Sequence, residues 1–298
     1  MKQESAGRPL VFGEVLFDRF PDGSSVLGGA PFNVAWHLQA FGRSPVFVSR
    51  VGDDAPGRRI LEAMERWDMT TRFVQRDADH PTGVVDVIME EGGHRFDIVA
   101  DSAWDHIAPH DIDRLPEAGM LYHGSLARRC TVSRGTLADL RRHTRLPVFV
   151  DVNLRDPWWD VDSALDVLTG CRWVKLSDEE LRTLAPGKTG IESGAATLQE
   201  LCNIDTLFVT LGSEGAFVRR ERGETFRVSP GTEVTVVDTV GAGDAFSSVL
   251  LLGLGLGWQM QTLLDRAQAF ASAIVGIRGA TVDDRAFYRP LVDAWGLS

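Results

Sequence analysis

The 298-residue chain has little cysteine, no excess of positive charge and no long apolar run. Its three cysteines, Cys130, Cys171 and Cys202, form no CxxC or Cys/His cluster, which argues against a disulfide scaffold and a structural zinc site and favours a reducing, cytoplasmic compartment. A net charge of −11 is the opposite of the basic surplus of nucleic-acid binders. The longest apolar stretch, Val249–Trp258, is far shorter than the roughly 20 residues of a membrane span, and no apolar signal segment opens the sequence. We therefore expect neither nucleic acid nor membrane as a partner.

Short apolar runs alternate with helical patterns along most of the chain. Predicted strands are Leu10–Gly13, Val46–Val51, Met120–His123, Val148–Val152, Trp173–Leu176 and Thr206–Leu211. Predicted helices are Pro31–Phe41, Ala55–Trp67, Val132–His143, Ser193–Cys202 and Leu263–Val275. Runs such as Pro147–Asp151 are apolar rather than alternating, as in a parallel sheet that is covered on both faces. The pattern predicts a single α/β domain over residues 1–298, with a doubly wound, mostly parallel sheet flanked by helices.

Residues 82–100 depart from this alternation. Two β-rich runs flank Glu91-Gly92-Gly93, which is a hairpin pattern. Joined by residues 15–20, this hairpin is expected to form a small β flap that excludes water from an active site, or else an antiparallel edge of the main sheet. The apolar pairs Val84-Val85 and Val87-Ile88 suggest a homodimer formed through this flap. A second hairpin, formed by residues 216–220 and 225–229, is expected to be only a solvated sheet edge.

The stretch Asp238-Thr-Val-Gly-Ala-Gly-Asp244 is the most informative for chemistry. A β-rich run, Glu233–Val237, precedes it, and a nearly all-apolar helical pattern, Asp244–Leu254, follows it. Residues 241–243 are therefore expected at a helix N-terminus, where free backbone N–H groups and the helix dipole bind anions. In a dry pocket such donors contribute several kcal/mol to a transition state.

Asp244 directly follows this predicted anion site. A carboxylate in a first helical turn is often only a partner of the helix dipole. Beside a phosphate, however, a fixed negative charge opposes binding unless it has a task. Accepting a proton from an alcohol that attacks the phosphate is a task that fits this position.

These residues resemble the C-terminal signature of the ribokinase-like (PfkB) carbohydrate kinases. Five further segments follow the order and spacing of that family: Gly28-Gly-Ala-Pro-Phe-Asn33, Val51-Gly-Asp-Asp-Ala-Pro-Gly57, Asp151-Val-Asn-Leu-Arg155, Lys175-Leu-Ser-Asp-Glu-Glu180 and Thr210-Leu-Gly-Ser-Glu-Gly215. The resemblance covers roughly residues 8–282 and is strongest to fructokinases.

The resemblance implies roles around the phosphoryl acceptor. Asp244 would be the catalytic base, and the N–H groups of Gly241, Ala242 and Gly243 would form the anion hole. The Gly28-Gly29 turn would let a sugar approach the backbone, and Asn33 would hydrogen-bond to sugar hydroxyls. The alternatives are a plain tight turn for the glycines and a solvated helix position for Asn33.

Two charged residues have alternative interpretations. Asp18 matches an acceptor for a substrate hydroxyl, or it belongs to a hairpin turn with Asp22-Gly23. Arg155 follows a predicted strand at the end where α/β sheets bind ligands. It would hold a sugar oxygen or a phosphate, or else form a surface ion pair with Asp156.

The resemblance also implies a nucleotide site. Thr210, Gly212 and Gly215 match a turn beneath the ATP phosphates and ribose, and Ala273 would border the adenine. Glu180 would organise Mg²⁺ through water, but Ser177 replaces the Asn usual in the family, which puts direct contact of residue 177 with the nucleotide in doubt.

Metal ions other than Mg²⁺ are expected at one place at most. Asp238, with backbone carbonyls near Val240 and Gly279, is expected to hold a monovalent cation such as K⁺, as in relatives. The seven histidines show no HxxH or HExxH spacing, so the sequence assigns no metal to them.

The sequence thus predicts an ATP-dependent sugar kinase acting on fructose or a related sugar. A 2-keto-3-deoxygluconate or nucleoside kinase of the same family is the alternative enzyme. A sugar-binding regulator without catalysis is the alternative outside enzymes, and retention of Asp244 with the intact glycines argues against it.

Overall fold

The computed structural model describes residues 7–90, 93–109, 114–231 and 235–297, with only the backbone at residues 89, 90, 93 and 94. Its strands are β1 (Arg8–Phe12), β2 (Leu16–Arg19), β3 (Ser25–Gly28), β4 (Val46–Gly52), β5 (Val74–Asp77), β6 (Gly83–Glu90), β7 (Gly93–Ile98), β8 (Ala118–Gly124), β9 (Val148–Asp151), β10 (Trp173–Ser177), β11 (Thr206–Thr210), β12 (Ala216–Arg220) and β13 (Thr225–Val228). Its α-helices are α1 (Ala30–Ala40), α2 (Ala55–Arg66), α3 (Thr131–Thr144), α4 (Val161–Leu168), α5 (Asp178–Leu184), α6 (Ile191–Cys202), α7 (Ala242–Leu256), α8 (Met260–Val275) and α9 (Arg285–Trp295).

Nine strands form one sheet in the order β13-β12-β11-β10-β9-β8-β1-β4-β5. Pairing is parallel from β5 to β11, and β12 and β13 add an antiparallel edge. From β1 the chain builds outward in both directions, which is the doubly wound arrangement. The predicted fold class is therefore confirmed, and the hairpin at residues 216–228 lies at the sheet edge, as expected.

Two apolar cores cover the two faces of this sheet. Successive strand residues point to opposite faces, so Val11 enters the core shared with α1, α2, α7 and α8, whereas Leu10 and Phe12 enter the core shared with α3, α4, α5 and α6. The helix α7 carries nine buried residues in a row, Ala245–Gly253, as its apolar composition predicted. No helix in the described ranges is long and apolar enough to span a bilayer.

The strands β3, β2, β6 and β7, in that order, form a second, separate sheet. It contains segments from residues 15–20 and 82–100, so these do not form an edge of the main sheet. The strand β3, which the sequence analysis had not identified, completes it by pairing with β2. Val85 and Val87 are buried within the chain, so these two residues do not provide the exposed apolar edge expected for pairing with a second copy.

Most predicted elements end within three residues of the observed ones. The strand predicted over Glu233–Val237 is wrong for residues 235–237, which are not strand, and residues 233–234 lie outside the described ranges. Glu91 and Gly92 at the hairpin apex also lie outside them. Besides β3, the elements β5, α4, α5 and α9 were not predicted. The first three of these four are short, and Pro290 inside α9 argues against a helix in the sequence.

Candidate active site

The carboxyl ends of β1, β9, β10 and β11 lie at one edge of the main sheet, where α/β proteins bind ligands. The first turns of α1 and α7 supply the central contact of the site. Asn33 in α1 donates a hydrogen bond from Nδ2 to Oδ2 of Asp244 in α7 at 2.7 Å. The two residues are 211 positions apart in sequence. The structure therefore brings the expected sugar-binding segment and the expected catalytic carboxylate into direct contact.

The N-terminus of α7 depends on two glycines. Gly241 precedes the helix with φ = 80°, and a Cβ there would overlap Ala280, so the turn requires glycine. At Gly243 a Cβ would lie 3.0 Å from Nζ of Lys175. The N–H of Ala242 donates a long bond of 3.3 Å to the carbonyl of Thr239, which a phosphate oxygen can replace with a shorter, charge-assisted one.

Beneath this turn lies an ion pair that the sequence analysis did not single out. Nζ of Lys175 on β10 lies 3.0 Å from both carboxylate oxygens of Asp151 on β9. Both side chains are buried, and Ser247 donates a further hydrogen bond to Asp151 at 2.7 Å. Burial alone lowers the pKa of Lys175, but the charges of Asp151 and Asp244 raise it above its usual value. A permanent positive charge thus lies directly under the first turn of α7.

Three carboxyl groups face the site on its other side, and burial raises the pKa of each. The pKa of Asp244 rises to about 6 through burial, although the Asn33 hydrogen bond opposes the rise. The pKa of Glu14, which follows β1, rises to about 7 through burial, with the charge of Asp244 adding to it. Burial raises the pKa of Asp18 on β2 to about 6. All three groups therefore ionise near neutral pH, as expected where carboxyls do proton chemistry or bind hydroxyls.

Two buried acceptor atoms in this region have no hydrogen-bond partner within the described residues, Oε2 of Glu14 and Oδ1 of Asn33. Buried polar atoms in native proteins nearly always have a hydrogen-bond partner, so two atoms in one region that lack one indicate a ligand site. The acceptors call for donors, and hydroxyl groups are donors. The glycines of the predicted Gly28-Gly29 turn lie alongside: a Cβ at Gly28 would be 3.2 Å from Asp18, and one at Gly29 would be 2.8 Å from the carbonyl of Glu14.

Arg155 is exposed in the loop after β9. Its charge lowers the pKa values of Asp18, Glu14 and Asp244 against the larger effect of burial. Asp156, the alternative partner of Arg155, accepts a hydrogen bond from Nε1 of Trp159 at 2.8 Å. The hairpin turn predicted for Asp18 with Asp22-Gly23 also exists, since β2 and β3 are joined there. Asp18 itself lies on β2 and faces Gly28, so the two interpretations of Asp18 are compatible.

Ser177 and Glu180 form a capping box at the start of α5. Ser177 Oγ accepts from the N–H of Glu180 at 3.1 Å, and Oε2 of Glu180 accepts from the N–H of Ser177 at 2.7 Å. Oε1 of Glu180 accepts from the N–H of Leu154 at 2.7 Å. Glu180 thus joins α5 to the loop that carries Arg155. The pattern Ser-x-x-Glu is a known sign of a helix start, and it had been considered only for the nucleotide.

Asp238 is likewise bonded to the backbone. Its Oδ1 accepts from the N–H of Val240 at 3.0 Å and its Oδ2 from the N–H of Gly279 at 3.0 Å. These bonds hold the segment before α7 against the loop that follows α8. Ala273 is partly exposed on the last turns of α8, close in sequence to this loop.

Thr210 ends β11, and Gly212 and Gly215 shape the turn to β12. A Cβ at Gly215 would overlap the carbonyl of Val228, whereas the space around Gly212 is open. Gly215 is therefore needed for packing against β13, and the open backbone at Gly212 is accessible to a ligand.

Glu14 and Lys175 are candidate site residues to which the sequence analysis gave no role. Glu14 follows a buried strand at its carboxyl end, which was a usable signal. Lys175 lies inside the predicted strand Trp173–Leu176, where a lysine between apolar residues has to be paired or functional.

The main sheet is doubly wound, and a helix N-terminus lies at its ligand-binding edge beside buried carboxylates, an arrangement that suits phosphoryl transfer. The chain matches the pfkB family carbohydrate kinases over residues 10–285. It belongs to this family and is a carbohydrate kinase. The resemblance found in the sequence is thereby confirmed.

Individual relatives agree with the family. A fructokinase of Klebsiella pneumoniae is 34% identical over 262 residues, which are 83% of this chain and 84% of that protein. A fructokinase of Vibrio cholerae O395, solved with fructose, ADP and calcium, has a TM-score of 0.80 and 26% identity, covering 96% of this chain and 99% of that one. Its double mutant, solved with fructose, ADP and potassium, has a TM-score of 0.79 and 26% identity, covering 96% and 98%. An aminoimidazole riboside kinase of Salmonella enterica, solved with its riboside and an ATP analogue, has a TM-score of 0.79 and 26% identity, covering 98% and 100%.

Proposed function

We propose that this carbohydrate kinase transfers the γ-phosphoryl group of ATP to a hydroxyl of fructose. The support for fructose is the fructokinase from Klebsiella pneumoniae at 34% identity and the Vibrio cholerae fructokinase with bound fructose and ADP. The supporting chemistry in this chain is a pocket of hydrogen-bond acceptors suited to a polyhydroxylated molecule.

Asp244 is the proposed catalytic base. Its pKa of about 6 leaves it largely ionised at neutral pH while keeping it basic enough to take a proton from an attacking alcohol. Asn33 fixes the carboxylate through Oδ2, so Oδ1 is the oxygen available to the sugar hydroxyl. One residue thus positions the base and, through its own unpaired Oδ1, contacts the sugar.

The migrating phosphoryl group is stabilised by the first turn of α7. The N–H groups of Gly241, Ala242 and Gly243 point to the anion, and the dipole of the 15-residue helix adds positive potential there. The ammonium of Lys175, paired with Asp151, lies below the same turn, where a Cβ at Gly243 would be 3.0 Å from its Nζ. Loose phosphoryl-transfer transition states need this kind of positioned charge more than covalent help.

The sugar is bound by acceptors on one side and a cation on the other. Glu14 and Asp18 accept hydroxyl hydrogens, Arg155 donates to sugar or phosphoryl oxygens, and the Gly28-Gly29 turn allows close approach. Asp18 belongs to the small sheet, so that sheet is proposed to act as a lid that shields the reaction from water.

ATP is proposed to lie along β10 and β11. Thr210, Gly212 and Gly215 would line the phosphates and ribose, and Ala273 the adenine. Both oxygens of Glu180 already accept backbone hydrogen bonds, yet each keeps a second lone pair for water in the shell of Mg²⁺, which retains several waters in proteins. Asp238 and neighbouring carbonyls are the proposed K⁺ site, and Ser177 serves the helix cap rather than the nucleotide.

The observation that carries the proposal is the Asn33–Asp244 hydrogen bond beside two unpaired buried acceptors. A second candidate substrate is a nucleoside. The Salmonella enterica structure contains a riboside, and the match to it covers 98% of the present chain. The same acceptors suit ribose hydroxyls.

A panel that couples ADP release to each acceptor tests the proposal. Fructose, 2-keto-3-deoxygluconate and aminoimidazole riboside should be compared at equal concentration with ATP and Mg²⁺. We expect fructose to give the highest kcat/KM. A higher kcat/KM for the riboside would make a nucleoside, not fructose, the proposed substrate. Sugar binding in calorimetry without ADP release would favour a sugar-binding regulator.

A further inference from the structure

Three side chains that no sequence pattern connected meet at the base of the small sheet. His80 lies between β5 and β6, Asp101 follows β7, and His106 ends a short 3₁₀ turn, Ala103–His106. The candidate ligand atoms of these three residues all lie within 4.8 Å of one another. They are not part of the phosphotransfer site described above.

The two imidazole rings face the same carboxylate oxygen. Nε2 of His106 lies 2.8 Å from Oδ1 of Asp101, and Nε2 of His80 lies 3.6 Å from it. The rings stack with their centroids 3.6 Å apart and planes 15° from parallel.

The proton on His80 is fixed by a second carboxylate, Asp77. Oδ1 of Asp77 accepts from the N–H groups of Asp79 and His80, and its Oδ2 lies 2.7 Å from Nε of Arg50. These contacts hold the Asp77 carboxylate as a hydrogen-bond acceptor, and Nδ1 of His80 lies 3.0 Å from its Oδ2, in position to donate to it.

Nε2 of His80 and Nε2 of His106 both face Oδ1 of Asp101, so two imidazole nitrogens and one carboxylate oxygen lie together at this place. An imidazole whose other nitrogen donates to a carboxylate is also the arrangement that orients metal-binding histidines in proteins.

We propose that His80, Asp101 and His106 bind a divalent transition-metal ion of the Zn²⁺ type. Two imidazole nitrogens and one carboxylate oxygen suit such an ion, and water completes the coordination. The histidine side chains are 26% and 21% exposed and Asp101 is 75% exposed, so an ion can enter from solvent. Since the three ligands flank β6 and β7, the bound ion would tie together the two chain segments that lead into and out of the small sheet.

Binding of Co²⁺ or Zn²⁺ alone, without nucleotide or sugar, tests this site. Asp101→Asn is the sharpest variant because residue 101 has φ = 57°, a conformation that Asn adopts readily, so the fold should be preserved. His106→Gln removes a second ligand. His143→Gln, at an exposed position of α3, is the matched control for loss of a histidine.

We expect one Co²⁺ per chain with the intense visible absorption of a low-symmetry N/O site, displaced by Zn²⁺, and a Tm that rises with Zn²⁺. The affinity should fall at least about tenfold in Asp101→Asn and His106→Gln and stay unchanged in His143→Gln. Metal-free Tm and sugar-kinase activity of these variants should match the wild type, which separates this site from phosphotransfer. Absence of bound Co²⁺ in the wild type, or equal affinity in all four proteins, would overturn the proposal.

Discussion

The site has an acceptor side, proposed to bind the sugar that accepts the phosphoryl group, and a donor side, proposed to bind ATP. The buried polar groups of the two sides are paired differently. On the acceptor side, Glu14 and Asn33 each retain a buried oxygen that has no partner among the described residues, and burial raises the pKa values of Glu14 and Asp244. On the donor side, the carboxylates of Glu180 and Asp238 are each bonded to two backbone N–H groups. The unpaired oxygens of Glu14 and Asn33 lower the stability of the free protein until a ligand binds. The carboxylates of Glu180 and Asp238, in contrast, fix the backbone conformation around them.

This difference teaches where binding energy and stability come from. Unpaired buried hydrogen-bond acceptors destabilise the free protein, and hydrogen bonds from substrate hydroxyls offset this cost on binding. Backbone-bonded carboxylates stabilise the free protein. Substitutions on the acceptor side should therefore change catalysis most, and those on the donor side should change stability most.

Asp244→Asn should give the largest effect. We expect kcat to fall by about 10²–10⁴-fold, because a positioned general base is lost, while sugar binding and folding persist. Steady-state kinetics with calorimetric sugar binding checks this, with exposed Asp156→Asn as control. Turnover within tenfold of the wild type would show that Asp244 is only a helix-dipole partner.

Lys175→Met should be next. It leaves Asp151 buried without its cation, which costs about 3–5 kcal/mol of unfolding free energy in urea denaturation. Adding Asp151→Asn should recover much of that stability but not kcat, which should stay about tenfold or more below the wild type because the charge under α7 is missing. Recovery of kcat in the double variant would confine Lys175 to a structural role.

Glu14→Gln should change the pH dependence of stability. The pKa of Glu14 rises from 4.5 to about 7 on folding, so the folded state holds more protons between these values and wild-type stability falls as pH rises through them. The window is worth about 3 kcal/mol at most. Glu14→Gln should flatten the profile measured by urea denaturation from pH 5 to 8. The control Glu62→Gln, at an exposed position, should leave the pH profile of stability unchanged. If stability fell equally between pH 5 and 8 in Glu14→Gln and Glu62→Gln, the assignment to Glu14 would be contradicted.

Ser177→Ala should give the smallest effect. Loss of the helix cap costs about 1 kcal/mol of unfolding free energy, with kcat and the KM for ATP nearly unchanged. Ser177→Asn should restore the cap. A large rise in the KM for ATP in Ser177→Ala, without loss of stability, would instead indicate contact between residue 177 and the nucleotide.

How much of the site can be predicted from the sequence depends on how far apart in sequence the interacting residues are. The turn before α7, with Asp244 just after it, is encoded by consecutive residues, and its glycines and buried helix were predictable. The family resemblance implied that Asp244 and Asn33 share one site, but their hydrogen bond was not predicted, because the two are 211 positions apart. A separate flap at residues 15–20 and 82–100 was one of two expectations, since strand pattern alone does not say which strand pairs with which.

The remaining residues acquire meaning only from their neighbours. Lys175 is a pattern-breaking lysine until β9 brings Asp151 beside it, and Glu14 is an ordinary carboxylate until burial raises its pKa. His80 and His106 share no ligand spacing in sequence, and the ends of the small sheet bring them together. The Ser177–Glu180 cap was visible as Ser-x-x-Glu but was assigned to the nucleotide because the resemblance pointed there.

The pH dependence of kcat/KM for fructose tests the central claim, that Asp244 is the base and that the Asn33 hydrogen bond lowers its pKa against the effect of burial. In the wild type the acidic limb should fall near pH 6. In Asn33→Ala it should move to higher pH, because the hydrogen bond that favours the carboxylate is gone, while Asp18→Asn should leave its midpoint in place. A limb that ignores Asn33→Ala but disappears in Asp18→Asn would contradict the account.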